Sequence, residues 1–465
     1  MTEPAPTPVA PPTGLLGALG YVGPGLMVAA TVVGSGELIA TTKTGAQAGT
    51  TFLWLIILGC CSKVFVQVEL GRYALSAGEP TLQALNRIPG PRLRANWIIW
   101  LWVAVTPAAF AIMGGVLGGV AQAMAMALPI TGDYITALAR TDGVTGSTFD
   151  VRFWSTAIAV ATAALLYFGR YRLIERVAIG LVTLFTLITI GTVFMLEFSA
   201  YRLSAGDILH GLSFSFPDQA DARFTALATF GIIGVGAIDL IAYSYWCLEK
   251  GYARNCGPQD DSAAWLGRAR GWVRVMKVDT FVSMGIYTVA TVAFYLIGAA
   301  VLHRDRLDPD DMHMISTLIS AYVPIFGDYA RWLLLLGAVA VLYSSFLIGI
   351  AAAARLFTDG LTMFNVVDGD DPGAQQRTVT RLSLALPLVA LAIVLSGWNP
   401  VLLILIGGMA QTVLLPVVGF GALYLRFQLT DPRLAPGRAW DAALILSCLV
   451  FVVVGGFGLY QIFRT

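Results

Sequence analysis

Two acidic residues set in apolar stretches are the places where this chain can do chemistry. Glu37 follows Gly34, Ser35 and Gly36 in VVGSGELIATT, Val32 to Thr42. Asp239 follows Gly234, Gly236 and Ala237 in GIIGVGAIDLIAYSYW, Gly231 to Trp246. A carboxylate at the centre of a membrane helix costs about 3 kcal/mol on insertion scales, so each acid needs a partner or a substrate. Paired glycines weaken a helix at a depth where no water repairs the backbone. The pattern therefore predicts two unwound helices. Carbonyls freed at the end of a half-helix take a cation, and amides freed at the start of the next attract an anion. With the two carboxylates added, the site is rich in hard oxygen and suits Mg²⁺, Ca²⁺ or Mn²⁺ better than soft metals. Glu37 and Asp239 are the candidate metal ligands. The wider candidate binding set adds Gly34, Ser35, Gly36, Gly236 and Ala237, with Gln411 facing the site from a later helix. For either segment alone, the plain alternative is that its glycines only let helices pack closely.

The elements that must position these residues are membrane helices. Hydrophobic residues make up 57% of the 465, charged residues only 12%, and the mean hydropathy is +0.75. A soluble domain carries about 25% charged residues. The net charge of +1 gives no reason to expect nucleic acid as a partner. A span needs about 20 mostly apolar residues, and eleven segments qualify: 19–42, 48–75, 97–127, 152–168, 173–196, 223–248, 273–302, 329–358, 379–397, 400–427 and 440–463. With the N-terminus in the cytoplasm, 19 Lys and Arg fall in cytoplasmic connections and 8 in external ones, which favours that orientation in the cell membrane. The two glycine-broken segments open two five-helix halves. Paired breaks of this kind point to a secondary transporter built from repeats, and an odd helix number per half makes the repeats inverted. The expected division is a disordered cytoplasmic tail over 1–18, repeats over 19–196 and 197–428, and an eleventh helix with an external C-terminus over 429–465. The chain is expected to act as a monomer in the lipid bilayer.

The remaining motifs are weaker. The connection at 250–272 interleaves Trp265, Leu266 and Trp272 with Arg268 and Arg270, which suits an amphipathic helix on the leaflet or an ordinary basic loop. The connection at 303–328 carries His303, Asp305, Asp308, Asp310, Asp311 and His313, a possible cation-gathering face. Five scattered cysteines form no CxxC pair, and no HExxH occurs, so neither a zinc site nor enzyme chemistry is indicated. No cofactor is expected; a metal would be cargo. Glu69 and Arg72, one turn apart, and Lys63 are assigned structural roles.

At this point the chain resembles a known family. GPGLMVAATVVGSGELIATT looks like the first helix of the Nramp divalent-metal transporters, where an Asp-Pro-Gly-Asn break follows a GPG start at the same distance. Gln67 and Arg72, YRLIERV (Tyr171 to Val177), KVDTFVSMGIYTVATVAFYL with Asp279, and Leu415-Pro416 match further family features. The resemblance implies an all-α, LeuT-like inverted repeat of five plus five helices with an eleventh added. It also implies transport of a divalent cation by alternating access. The functional motifs depart from the family. Its metal-binding Asp, Pro and Asn are matched here by Gly34, Ser35 and Glu37, and its Met-Pro-His-Asn by Gly236, Ala237, Ile238 and Asp239. Val105 and Ile112 stand where acids are expected, and Tyr243 replaces the second histidine. These departures leave a hard divalent ion such as Mg²⁺ or Mn²⁺ as the expected cargo and give little support to proton coupling. Gly34-Ser35-Gly36 is also similar to the first-helix break of amino-acid and polyamine transporters, where backbone amides hold a substrate carboxylate. A small amino compound is therefore the alternative substrate, with Glu37 and Asp239 answering its amino group.

Overall fold

The computed structural model describes residues 8–139, 148–168, 171–217, 219–327 and 329–464. Apart from a two-residue ladder pairing Arg92–Leu93 with Ala95–Asn96, the described chain is helical. Each of the eleven expected spans corresponds to a helix or a broken pair of helices. The span α1 runs as Pro24–Val32, a π-helical stretch Val33–Thr41, and Thr42–Ala48. It is followed by α2 (Leu53–Ala77), α3 (Trp97–Ala127), α4 (Phe149–Phe168) and α5 (Tyr171–Leu196). The span α6 is two helices, Ala220–Ile232 and Ala237–Lys250. Then come α7 (Ala263–Ile297), α8 (Tyr329–Met363), α9 (Pro372–Leu395), α10 (Pro400–Tyr424) and α11 (Arg438–Arg464). The family stretch 171–177 lies on α5, but its side chains fall outside the described part.

The broken spans sit at the centre. The most apolar window of α6 is 83% buried, whereas those of α4 and α9 are 28% buried and form the lipid-facing rim. Lipid gives helices no hydrophobic reason to associate, so they meet through small residues and buried polar bonds. Glycines mark the closest crossings. A Cβ on Gly231 would lie 2.1 Å from the Gly408 carbonyl oxygen of α10, and one on Gly45 would lie 2.4 Å from the Tyr295 carbonyl oxygen of α7.

Long-range polar bonds fix the ends. Asp279 of α7 is fully buried and accepts from the backbone N–H of Gly23 (2.8 Å) and Gly25 (2.7 Å), at the start of α1. An anion there compensates the exposed amides and the positive end of the helix. Pro24 at the first helical position needs no N–H partner. At the same face Arg72 makes a fork on Glu69, and Trp440 Nε1 donates to Glu69 at 2.6 Å, joining α2 to α11. Asn399 opens α10 by accepting from the N–H of Val401 and Leu402. On the opposite face Lys43 donates to Asp308 (2.7 Å) and to the Pro309 carbonyl.

Three stretches singled out in the sequence take the following form. From Pro8 onward the proline-rich tail stays largely exposed but is tied down at Val9, which donates its N–H to the Asn255 carbonyl and accepts from Trp272 Nε1. The stretch 250–272 contains no helix lying on the leaflet. α7 simply starts earlier, at Ala263, and Trp265 and Trp272 are fully buried, against Arg433 and the Tyr21 edge. In the acidic connection Asp308 binds Lys43 and Gln47, Asp305 accepts from Tyr201, and Asp310 accepts from Asn399.

Candidate functional site

The two glycine segments solve the same problem differently. In α6 the helix truly stops. Ile233 and Gly236 are extended, Gly234 takes φ +69°, and the second half starts at Ala237. Only glycine adopts that left-handed φ without strain. In α1 the expected unwinding does not occur. Val33–Thr41 stays helical with a wider π turn, and the helices on either side bend by 42°. No proline removes an N–H here, so a widened turn keeps most backbone bonds.

The α1 glycines are contact surfaces. A Cβ on Gly34 would lie 2.3 Å from Ser345 Oγ and 2.8 Å from the Val341 carbonyl oxygen of α8. Ser345 Oγ accepts from the Gly34 N–H (3.0 Å) and donates to the Ala30 carbonyl (3.0 Å). Ser345 thus fills the space that a side chain at position 34 would use. A Cβ on Gly36 would come 3.2 Å from the Ile232 carbonyl oxygen, so α1 touches the α6 break there. The Gly36 carbonyl accepts from the Thr41 hydroxyl. The Ser35 backbone belongs to the π stretch, while its side chain lies outside the described part.

Glu37 faces the α6 break and is fully buried. Its Oε1 accepts from the Thr291 hydroxyl of α7 (2.8 Å) and from the Gly234 N–H (3.4 Å). No hydrogen bond reaches its Oε2 among the described residues. Beside it stands Lys63 of α2, also fully buried. Its Nζ donates to the Phe230 carbonyl (2.5 Å) and the Ile233 carbonyl (2.7 Å), at the end of the first half-helix, and lies 5.1 Å from the Phe230 ring centre. Lys63 was read from the sequence only as structural. Its signal was present, since a lysine within an apolar span is as costly as an acid. Which carbonyls it reaches was not legible.

Asp239, Gly236 and Gln411 come together on the other half-helix. Gln411 Oε1 accepts from the Ile238 N–H (3.1 Å), so α10 caps the restart of α6. A Cβ on Gly236 would lie 2.4 Å from Gln411 Oε1 and 2.7 Å from Asp239 Oδ2, so both oxygens crowd the same point. Ala237 is buried in the first turn and offers no side-chain polar atom. Asp239 and Gln411 line a cavity of about 60 Å³ together with Thr31 of α1, Thr106 and Met113 of α3, and Phe357 of α8. Most of its wall is apolar. It reaches Trp102, near the start of α3, and Phe357, near the end of α8, and so extends toward the face that carries the N-terminus. Glu37 is not among its lining residues. The described residues contain no group of three or more His, Cys, Asp or Glu placed to share a metal. Of the two candidate ligands, Asp239 lies on the cavity wall, and Glu37 bonds to Thr291 and to Gly234 at the α6 break.

Comparison with known proteins places this arrangement. Residues 25–462 match the model of the family described as natural resistance-associated macrophage protein-like. A divalent metal cation transporter, MntH, of Mesorhizobium japonicum is 22% identical over 443 residues, covering 93% of this chain and 87% of the relative. Another, MntH 1 of Pseudomonas aeruginosa, is 22% identical over 442 residues, covering 92% and 89%. Among solved structures, the Eremococcus coleocola manganese transporter superposes with a TM-score of 0.70 at 17% identity, covering 99% of this chain and 91% of that one. MhsT bound to L-phenylalanine superposes with a TM-score of 0.59 at 16% identity, covering 97% and 99%. These likenesses establish the LeuT-like fold.

Proposed function

The chain belongs to the natural resistance-associated macrophage protein-like family, and from that membership we propose that it is a transporter of a divalent cation across the cell membrane by alternating access. The relatives named as divalent metal cation transporters support the substrate class. The observation that carries the reading is the cavity at the α6 break. At about 60 Å³ it holds about four to six waters, taking about 10–15 Å³ per water on this measure. That is room for a partly hydrated ion. Asp239 supplies a charged oxygen, and Gln411, Thr31 and Thr106 supply neutral ones. Mg²⁺ binds in this manner, through one or two carboxylates while keeping several waters. The only thioether on the wall, Met113, packs on Gly349.

The cavity extends toward the N-terminal face, read as cytoplasmic, while Lys43 and Asp308 join α1 to the opposite connection. Both features support an inward-leaning state closed on the outside. The apolar aromatic wall, with Trp102, Phe110 and Phe357, favours a second reading in which a small organic amine pairs with Asp239. Isothermal titration of the purified protein with Mg²⁺, Mn²⁺, small amines and amino acids separates the two. Saturable Mg²⁺ or Mn²⁺ binding that Asp239→Asn abolishes supports the first. Binding of an amine or amino acid with no response to either metal overturns it.

A further inference from the structure

The end of a half-helix in mid-membrane presents carbonyl oxygens and a negative dipole end to a low-dielectric interior, and it requires a cation. In α6 that end is Phe230 to Ile233, and both of these carbonyls are already taken by Lys63 Nζ, at 2.5 and 2.7 Å. These are short, charge-assisted hydrogen bonds. Burial works against a charge here, and the groups around the nitrogen offset it. The Phe230 ring lies within cation–π range, and both Glu37 and Asp239 act on the lysine electrostatically. The lysine is fully buried, so no water competes for its bonds.

We propose that the Lys63 ammonium is a tethered cation: it fills the carbonyl site of the α6 break, so that this site neither needs nor admits a free ion. The ammonium on α2 then does covalently what a bound Na⁺, K⁺ or divalent ion would do reversibly. The consequence is a division of the site. Glu37 balances the built-in charge, and cargo is left with the Asp239 and Gln411 side. This deepens the transport reading given above, but its test reads the ion dependence of stability and not transport, so the two fail separately.

The experiment uses the full-length protein in nanodiscs. Thermal unfolding midpoints are measured while N-methyl-glucamine chloride is exchanged for NaCl, KCl or methylammonium chloride at constant ionic strength. Wild type is expected to show the same midpoint throughout. Lys63→Ala, which vacates the carbonyls, is expected to have a lower midpoint that rises by several degrees as one of these small cations saturates the vacancy. The double variant Lys63→Ala with Glu37→Gln should lose that rise. If Lys63 is only a hydrogen-bonding cap, Lys63→Ala will be destabilised equally in every salt, and the proposal is overturned. A saturable Na⁺ or K⁺ dependence in the wild type would overturn it as well. Where Lys63→Ala cannot be purified in any salt, Lys63→Met decides: a cation-dependent midpoint sustains the tethered cation, and a cation-independent one ends it.

Discussion

Gly34 occupies the position at which the family resemblance places a metal-binding acid, and the packing around it predicts what a side chain there would cost. In Gly34→Ala the new Cβ would lie 2.3 Å from Ser345 Oγ, 2.8 Å from Ser345 Cβ and 2.8 Å from the Val341 carbonyl oxygen. Ser345 cannot rotate away freely, because its hydroxyl links the Gly34 N–H to the Ala30 carbonyl. Overpacking of this kind costs about 1–3 kcal/mol. Losing two buried hydrogen bonds adds about 1 kcal/mol each, for a destabilisation of about 3–5 kcal/mol. Gly34→Ala with Ser345→Gly removes two of the three close contacts, so the double variant should be more stable than the sum of the single losses by at least about 1 kcal/mol. Thermal unfolding and monodispersity of the four proteins in nanodiscs form the cycle. Gly34→Asp, which also buries a charge, should be the least stable and should not raise cation uptake. A Gly34→Ala protein as stable as wild type, or strict additivity in the cycle, would refute the packing argument.

Other residues give further tests. Asp279→Ala leaves the Gly23 and Gly25 N–H groups without their acceptor; at about 1–3 kcal/mol for each orphaned group it should cost at least about 2 kcal/mol, with Asp279→Asn costing less, as read by thermal unfolding. Lys43→Met removes the bonds to Asp308 and Pro309, so a thiol reagent added from that face should label Ala46→Cys several-fold faster than in the Lys43 background. An unchanged rate would mean that this link does not close the face. Glu37→Gln keeps an oxygen for Thr291 and Gly234 but removes the charge next to Lys63. Uptake of Mg²⁺ or Mn²⁺ into proteoliposomes should drop by at least about tenfold, the factor that about 1.4 kcal/mol represents, and uptake equal to wild type would contradict the role given to the acid.

The spans were legible because twenty-residue apolar runs leave few alternatives in a bilayer. The α6 break was legible too: Gly234 and Gly236 stand just before an acid, and the helix stops there. The same signal misled in α1, where Gly34 and Gly36 serve contacts with Ser345 and Ile232 and the helix widens without unwinding. Local sequence does not separate the two cases. What holds the α6 break open comes from far away in the chain, since Lys63 lies 167 and 170 positions from the carbonyls it binds, and Gln411 lies 173 from Ile238. Trp265 and Trp272 failed for a related reason. Aromatics among arginines fit a leaflet surface, and only the packed tail and Arg433 explain why they are buried.

The tethered-cation proposal also separates Glu37 from Asp239, the two acids paired in the sequence, as ligands of one ion. Two unit charges 4 Å apart repel by about 4 kcal/mol at an effective dielectric constant of about 20, and a divalent ion by about twice that. An ion at the Phe230 and Ile233 carbonyls would have to displace the ammonium, whereas an ion at Asp239 and Gln411 would not. The anomalous scattering of Mn²⁺ soaked into crystals of the wild-type protein measures this directly. The account predicts a peak in the cavity beside Asp239 and Gln411, with Lys63 still bound to both carbonyls. A peak at those carbonyls or on Glu37, with the lysine turned away, would contradict it.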